Sequence, residues 1–379
     1  MNKTLGLYVH IPFCRSKCAY CDFYSQPSVS EAAQTAYIRA LEQTAEKMLS
    51  PAEPYRVASV YLGGGTPSAL TPALFARVLA ATQRFRIEPA AEVTAEANPA
   101  PLPDGLFDTW ARCGVNRVSI GMQSAVEPEL RAVGRRHTCA DVAAAVSAAR
   151  RAGIRNISLD LMLGLPGQTQ ASVERSISFA LSLMPEHLSL YCLKLEPGTP
   201  LERLVSAGRV TLPDDEAVAD WYLDCCGRLT AAGLAQYEIS NFARAGFESR
   251  HNLRYWQRGD YLGIGAAAHS FFAGVRRFFP SDRTAFQTLA AQPEIGWIDD
   301  EPVNEPEEVL MLSLRTAAGC RLETLAACAG TAAAEQIAKQ LAALVPAGYA
   351  VQTAEGYALT PKGMLVSNTI LSELMMALD

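Results

Sequence analysis

The chain has no run of about 18 apolar residues, so nothing in it reads as a membrane span. Its opening MNKTLGLYVHIPFC holds neither a long apolar stretch nor a small-residue cleavage site, and no secretory signal is expected. The expected setting is cytoplasmic. Disulfides are disfavoured there, and the ten cysteines read as free thiols or metal ligands. A basic footprint is also missing. Residues 300–379 carry four Lys/Arg against ten Asp/Glu, and the rest of the chain has 29 of each, so the whole net charge of −6 lies in the tail. A nucleic-acid reader gathers Lys and Arg on its reading element, so no nucleic-acid partner is expected. No internal repeat stands out, and Ala-rich helices are the only compositional bias.

What is present is a long alternation. Short aliphatic or β-branched runs at 5–11, 57–64, 92–98, 115–124, 154–166 and 187–195 read as strands. Helical stretches at 31–49, 71–84, 101–113, 127–131, 139–152 and 170–183 lie between them. Strands separated by helices predict βαβ units and a parallel sheet, an α/β fold that binds ligands at the carboxyl edge of its strands. After about residue 300 the pattern changes. The linker-like EPVNEPEEV leads into helices at 305–316, 321–329 and 332–346, a hairpin around Glu355-Gly356, and a last helix from 361. Three helices and a hairpin resemble a winged helix. The third helix has only Glu335 and Lys339 as charges, so a structural or lid module is expected there, not a DNA reader.

The chemistry concentrates in HIPFCRSKCAYCDFYS, where Cys14, Cys18 and Cys21 are spaced C-x3-C-x2-C. Zinc is one candidate, with His10 completing a Cys3His tetrahedron. Structural zinc more often uses two separated ligand pairs. The other candidate is a [4Fe–4S] cluster on three thiolates, which leaves one iron open to a small molecule. YLGGGTPSAL places Gly64, Gly65 and Thr66 in a turn directly after a strand. That turn is either an ordinary tight one or a loop whose backbone approaches a ligand. It lacks the Lys of a nucleotide-triphosphate loop. Glu96, Gln123, Arg135 and Asp160 sit singly at or beyond later strand ends. Each taken alone is as readily a cap or an ion-pair partner.

The cysteine loop, with Tyr20 before its last cysteine, resembles the signature of radical S-adenosylmethionine (SAM) enzymes. Together with the later polar residues, it is similar to the anaerobic coproporphyrinogen III oxidase-like group of that superfamily, nearly from end to end. The resemblance implies an incomplete (β/α)6 barrel over 1–300 and a small α+β, winged-helix-like domain over 301–379. It implies a cluster on Cys14, Cys18 and Cys21 whose open iron binds SAM. It also implies a SAM site formed by Tyr8, Tyr20, Gly64, Gly65, Thr66, Glu96, Gln123, Arg135 and Asp160. The acids would take amino and ribose hydroxyl groups, Arg135 the carboxylate, Gln123 a ribose or adenine edge, and Tyr20 would lie against the adenine. In this superfamily an electron from the cluster breaks a C–S bond of SAM, and the protein supplies binding and orientation.

Two departures separate the chain from the oxidases of that group. They carry a fourth cysteine where this chain has Phe23, and a long segment ahead of the cysteine loop where it has thirteen residues. The chain instead resembles the haem-chaperone members, which deliver haem to respiratory proteins. Its His251, Asn252, Tyr255 and Trp256 form H-N-x-x-Y-W, similar to the haem motif of those members; a packed loop with a core Trp is the plainer reading. His251 is the expected iron ligand, with Cys192, Cys225 and Cys226 as competitors. Coproporphyrinogen oxidation is the alternative activity. Haem and haem-accepting respiratory proteins are the expected partners, with a homodimer compatible and no direct membrane insertion.

Overall fold

The computed structural model describes residues 3–378. It divides into two compact units. One runs to Val218 and resumes over Gly259–Asp300; the other comprises Ala219–Arg258 and the chain from Glu301. The expected boundary after residue 300 is thus one of three crossings. Residues 219–258, expected with the first domain, group with the C-terminal chain.

The first unit is built on six parallel strands: β1 (Lys3–Ile11), β2 (Tyr55–Gly64), β3 (Ile87–Ala97), β4 (Arg117–Gln123), β5 (Asn156–Leu163) and β6 (His187–Cys192). They pair in sequence order, each parallel to the next. Helices α1 (Glu31–Ala52), α2 (Pro72–Thr82), α3 (Leu106–Arg112), α4 (Cys139–Arg151) and α5 (Gln170–Ser182) make the crossovers. This is the parallel sheet that the alternation predicts, and the incomplete (β/α)6 barrel that the resemblance implies. Strand β7 (Tyr261–Ile264) adds parallel to β1, and β8 (His269–Phe272) and β9 (Val275–Phe278) continue that edge antiparallel. These strands are four residues each, too short for a period to emerge from the sequence.

Leu5, Leu7, Val9 and Ile11 alternate along β1 and are buried on its outer face, while Tyr8 and His10 turn inward. All seven residues of β4 are buried, as a central parallel strand requires. Helix starts are set by side-chain caps: Thr138 and Asp141 form a capping box on α4, and Thr71 precedes Pro72 on α2. Trp110 of α3 stacks on Phe75 of α2 at 4.6 Å between ring centroids. Tyr37 of α1 donates its hydroxyl to the His10 carbonyl at 2.9 Å and accepts from Ala266 N–H at 3.0 Å, tying α1 to β1 and to the end of β7.

In the second unit, helices Glu305–Ser313, Leu322–Ala329 and Thr331–Leu344 precede an antiparallel hairpin, Ala350–Gln352 with Gly356–Leu359. Cys320–Arg321 adds a third strand. Leu310, Leu314, Leu325, Ile337, Leu341 and Leu371 fill its core, and Ile239 packs against them.

Candidate functional site

A cavity of about 550 Å³ opens at the carboxyl ends of the strands. Its lining brings together Cys14, Cys18, Cys21, Tyr20, Gly64, Gly65, Thr66, Glu96, Gln123, Arg135 and Asp160. Eleven positions spread over 147 residues of sequence therefore meet in one place, because each lies in the carboxyl-terminal half of a strand or in the segment that follows it.

The cysteine loop is clipped at both ends, where Phe13–Cys14 pairs with Gln26–Pro27. Its middle is pinned by Ala19 N–H to the Val133 carbonyl at 3.0 Å and by Leu201 N–H to the Ala19 carbonyl at 2.8 Å. Cys14 Sγ lies 3.5 Å from Thr66 Oγ1. Burial pushes the Cys14 and Cys21 thiols up, with Thr66 opposing at Cys14. A bound metal would supply the positive charge that turns such thiols into thiolates.

His10 is not placed to complete a zinc site. Its Nε2–H donates to the Tyr24 carbonyl at 2.8 Å, so Nδ1 is the acceptor and takes the Tyr8 hydroxyl at 3.0 Å. Burial lowers the imidazole pKa to about 4, which keeps it neutral. Among the described residues no three His, Cys, Asp or Glu side chains converge on one metal-ion position. A cubane cluster asks something different, a separate iron for each thiolate, and the three cysteines line one cavity from one short loop.

The glycine turn is demanded first by packing. Gly64 has φ +100°, and a Cβ there would fall 2.3 Å from the His10 ring; one on Gly63 would meet Glu96 Oε1 at 2.8 Å. A Cβ on Gly65 would meet the Ile11 carbonyl at 2.6 Å. The close approach that excludes side chains is thus to β1 and β3 of the protein itself. The backbone of Gly64 and Gly65 still faces the cavity.

Two acids stand on the inner wall. Glu96 Oε1 accepts the Tyr61 hydroxyl at 2.7 Å, and Asp160 Oδ1 accepts from Ser119 at 2.9 Å. Burial pushes the Glu96 carboxyl up to about 7, with the Asp160 charge adding to it; hydrogen bonds from Tyr61 and Gly64 N–H, and the charge of Arg117, oppose. Asp160 is raised by burial, against Ser119 and Ser189. Gln123 ends β4 at φ +63°, a left-handed conformation that turns its side chain into the cavity. Arg135 Nη1 donates to the Gly121 carbonyl at 2.7 Å and to Asn98 Oδ1 at 3.2 Å. Burial works against its charge, yet Tyr20 and Cys18, which also bond it, hold it above its ordinary value.

Sequence reasoning missed Asn98 and Gly121. Asn98 Nδ2 donates to Thr66 Oγ1 at 3.3 Å and so links the glycine turn to Arg135. A Cβ on Gly121 would crowd Gln123 Nε2 at 3.0 Å and Arg135 Nη1 at 3.1 Å. The available signal was strand alternation, which puts Asn98 on the same face as Glu96 and Gly121 on that of Gln123.

Tyr8 is not among the lining residues. It stands behind them, bonded to His10 and stacked on Tyr61 at 6.3 Å. Cys192 does line the cavity, at its exposed rim. The haem-motif residues lie in the second unit, on the helix Arg250–Trp256 capped by Ser249. His251 there is 1% exposed. Its Nε2 is 2.8 Å from the Tyr255 hydroxyl, with the rings edge-on at 5.0 Å. The expected iron ligand is therefore engaged and covered. Asn252, Tyr255 and Trp256 are half-buried, and Cys225 and Cys226 are buried on the helix Asp215–Ala231.

A parallel partial barrel with three cysteines and a ring of polar side chains at its carboxyl mouth defines the radical SAM class. The model of the Radical SAM superfamily matches residues 8–180, and that of the HemN C-terminal domain matches residues 301–366. The chain is 36% identical to the "Heme chaperone HemW" of Bacillus subtilis, over 96% of this chain and 97% of that one. It is also 36% identical to the Escherichia coli protein of the same name, over 98% of each. The chain belongs to the HemW family. Among solved structures, coproporphyrinogen III oxidase (HemN) from Escherichia coli has the same fold, with a TM-score of 0.80 at 22% identity over 100% of this chain and 90% of that one.

Proposed function

We propose that the protein is a haem chaperone that binds haem and hands it to haem-dependent respiratory proteins. Cys14, Cys18 and Cys21 would hold a [4Fe–4S] cluster, and the cavity beside them would hold SAM. The observation that carries the reading is similarity over nearly the whole chain to two proteins named as haem chaperones. Phe23, 70% exposed at the cavity where oxidases of the group have a cysteine, agrees with it. Glu96 and Asp160 are suited to the amino group and ribose hydroxyls of SAM, and Arg135 to its carboxylate. Bound, the pair supplies one-electron chemistry. The protein's part is to bring three cysteines and two acids into one cavity.

Mixing the anaerobically reconstituted protein with haem tests the reading. A stable complex with a shifted Soret band, and passage of that haem to an apo-acceptor, are expected. Failure of either overturns it. Iron and labile sulfide near four of each per chain are expected of a cubane. A second reading, anaerobic coproporphyrinogen III oxidation, is favoured by the completeness of the polar cavity. Protoporphyrinogen formed under anoxia with reductant and SAM would establish it in place of the first.

A further inference from the structure

Beneath the two acids the barrel buries a cation that does not line the cavity. Arg117 opens β4, is 2% exposed, and alternation turns it to the same interior face as Ser119, the donor to Asp160. Its register neighbours are Thr94 on β3 and Asn156 on β5. Arg117 Nε, Thr94 Oγ1 and Asn156 Oδ1 are each buried without a hydrogen-bond partner. A guanidinium in such a place costs several kcal/mol of desolvation unless opposite charge offsets it. Conversely, two carboxylates sharing a buried wall repel, and one takes a proton unless a cation intervenes.

The titratable groups facing this interior are Tyr8 and His10 on β1, Tyr61 on β2, Glu92 and Glu96 on β3, Asp160 on β5, and His187 and Tyr191 on β6. Arg135 stands above them. His187 is held neutral, first by burial and then by Arg117, and His10 is neutral as described above. Arg135 bonds Gly121, Asn98, Tyr20 and Cys18, and its charge lowers Asp160 but is not among the causes at Glu96. Arg117 is the cation that acts on both acids.

We infer that Arg117 is a positioning residue, a buried counter-charge that keeps Glu96 and Asp160 ionised together so that the cavity presents two carboxylates to a cationic ligand group. The inference rests on the reading of the cavity as a SAM site, the sulfonium of SAM being that cation. The field of Arg117 lowers both acids against burial.

The test is SAM affinity of the reconstituted protein from pH 6 to 9, for the wild type, Arg117→Met and Arg117→Lys. A carboxylate infrared titration of the same proteins without SAM runs beside it. Arg117→Met is expected to move the midpoint of binding to higher pH, with affinity roughly tenfold lower near neutrality for each unit moved and recovering in alkali. Arg117→Lys is expected to restore the wild-type profile. An Arg117→Met profile that is unmoved, or lowered equally at every pH, overturns the inference. If Arg117→Met does not fold, Asn156→Asp sets a carboxylate beside Arg117 in register and is expected to move the profile the same way. No movement there overturns it equally. If the wild type binds no SAM, the site reading fails, and the infrared midpoints of the variants against the wild type still decide what Arg117 does.

Discussion

Gly64 and Glu96 separate what a residue does for the fold from what it offers a ligand. At Gly64 a methyl group would meet both a left-handed backbone and the His10 ring. Gly64→Ala is therefore expected to cost about 3 kcal/mol or more, read by urea unfolding. Gly105 makes the control, since it has φ +65° with nothing within 4 Å of its Cβ position. Its alanine variant should lose only the backbone strain, about 1 kcal/mol. Glu96 behaves oppositely. Its carboxyl is raised to about 7, above the ordinary value, so ionising it works against the folded state. That penalty is absent below about pH 4, grows as pH rises towards 7, and then levels off. Glu96→Gln is expected to be more stable than the wild type at pH 8, on the order of 1 kcal/mol after allowing for its open face, and equal to it at pH 4. It should also lose SAM binding. Equal melting of the two proteins at pH 8 would refute the assignment of the penalty to this carboxyl. The sequence showed Glu96 as an isolated acid at a strand end. Its partner Tyr61 and the counter-charge of Arg117 come from neighbouring strands, which no local pattern reveals.

At the scale of elements, the six long strands and their helices were legible because parallel strands buried on both faces read as continuous aliphatic runs, and four of the five crossover helices, α3 being the exception, start at a Ser or Thr cap. The short strands at 261–278 were not legible, being held by pairing to β1 and to each other and not by their own period. The helix Arg250–Trp256 shows the limit of a motif. His251 and Tyr255 are spaced i, i+4, which places them on one helix face and lets the hydroxyl take the ring nitrogen. If His251 ligates haem through Nε2, that bond must first break, and Tyr255→Phe removes the competitor at little cost to the edge-on ring packing. Haem affinity of Tyr255→Phe is then expected to rise several-fold, while His251→Ala alters the Soret band. Unchanged affinity in the first and an unchanged spectrum in the second would move the search for the ligand to Cys192, the accessible thiol at the cavity rim.

For the whole molecule, the informative feature is that the second unit is made of two pieces of chain. Composition marked a break near residue 300, where Pro and Glu accumulate, but nothing in the composition of 219–258 sets it apart from the barrel. The grouping arises from contacts far apart in sequence. Arg258 pairs with Glu305 at 2.8 Å and with Glu308 at 2.7 Å, the latter almost wholly buried. Ile239 N–H donates to the Arg315 carbonyl at 2.8 Å, and Ala317 N–H to that of Tyr237 at 3.0 Å. Breaking a buried pair by removing one partner costs about 3–5 kcal/mol. A chain cut after residue 300 therefore takes Glu305 and Glu308 from Arg258, the Arg315 carbonyl and Ala317 N–H from the backbone of 237–239, and the apolar cover from Ile239. Such a truncation is expected to keep the cluster and SAM binding of the first unit. It should lose hydrogen-exchange protection and protease resistance across 219–258, and haem binding with them if the motif on Arg250–Trp256 forms the haem site. Arg258→Ala in the full chain should reproduce the effect in milder form, raising exchange in 250–256 ahead of the barrel strands. Protection of 219–258 that survives the truncation unchanged would mean that this segment folds on the barrel alone, and that residue 300 is the boundary after all.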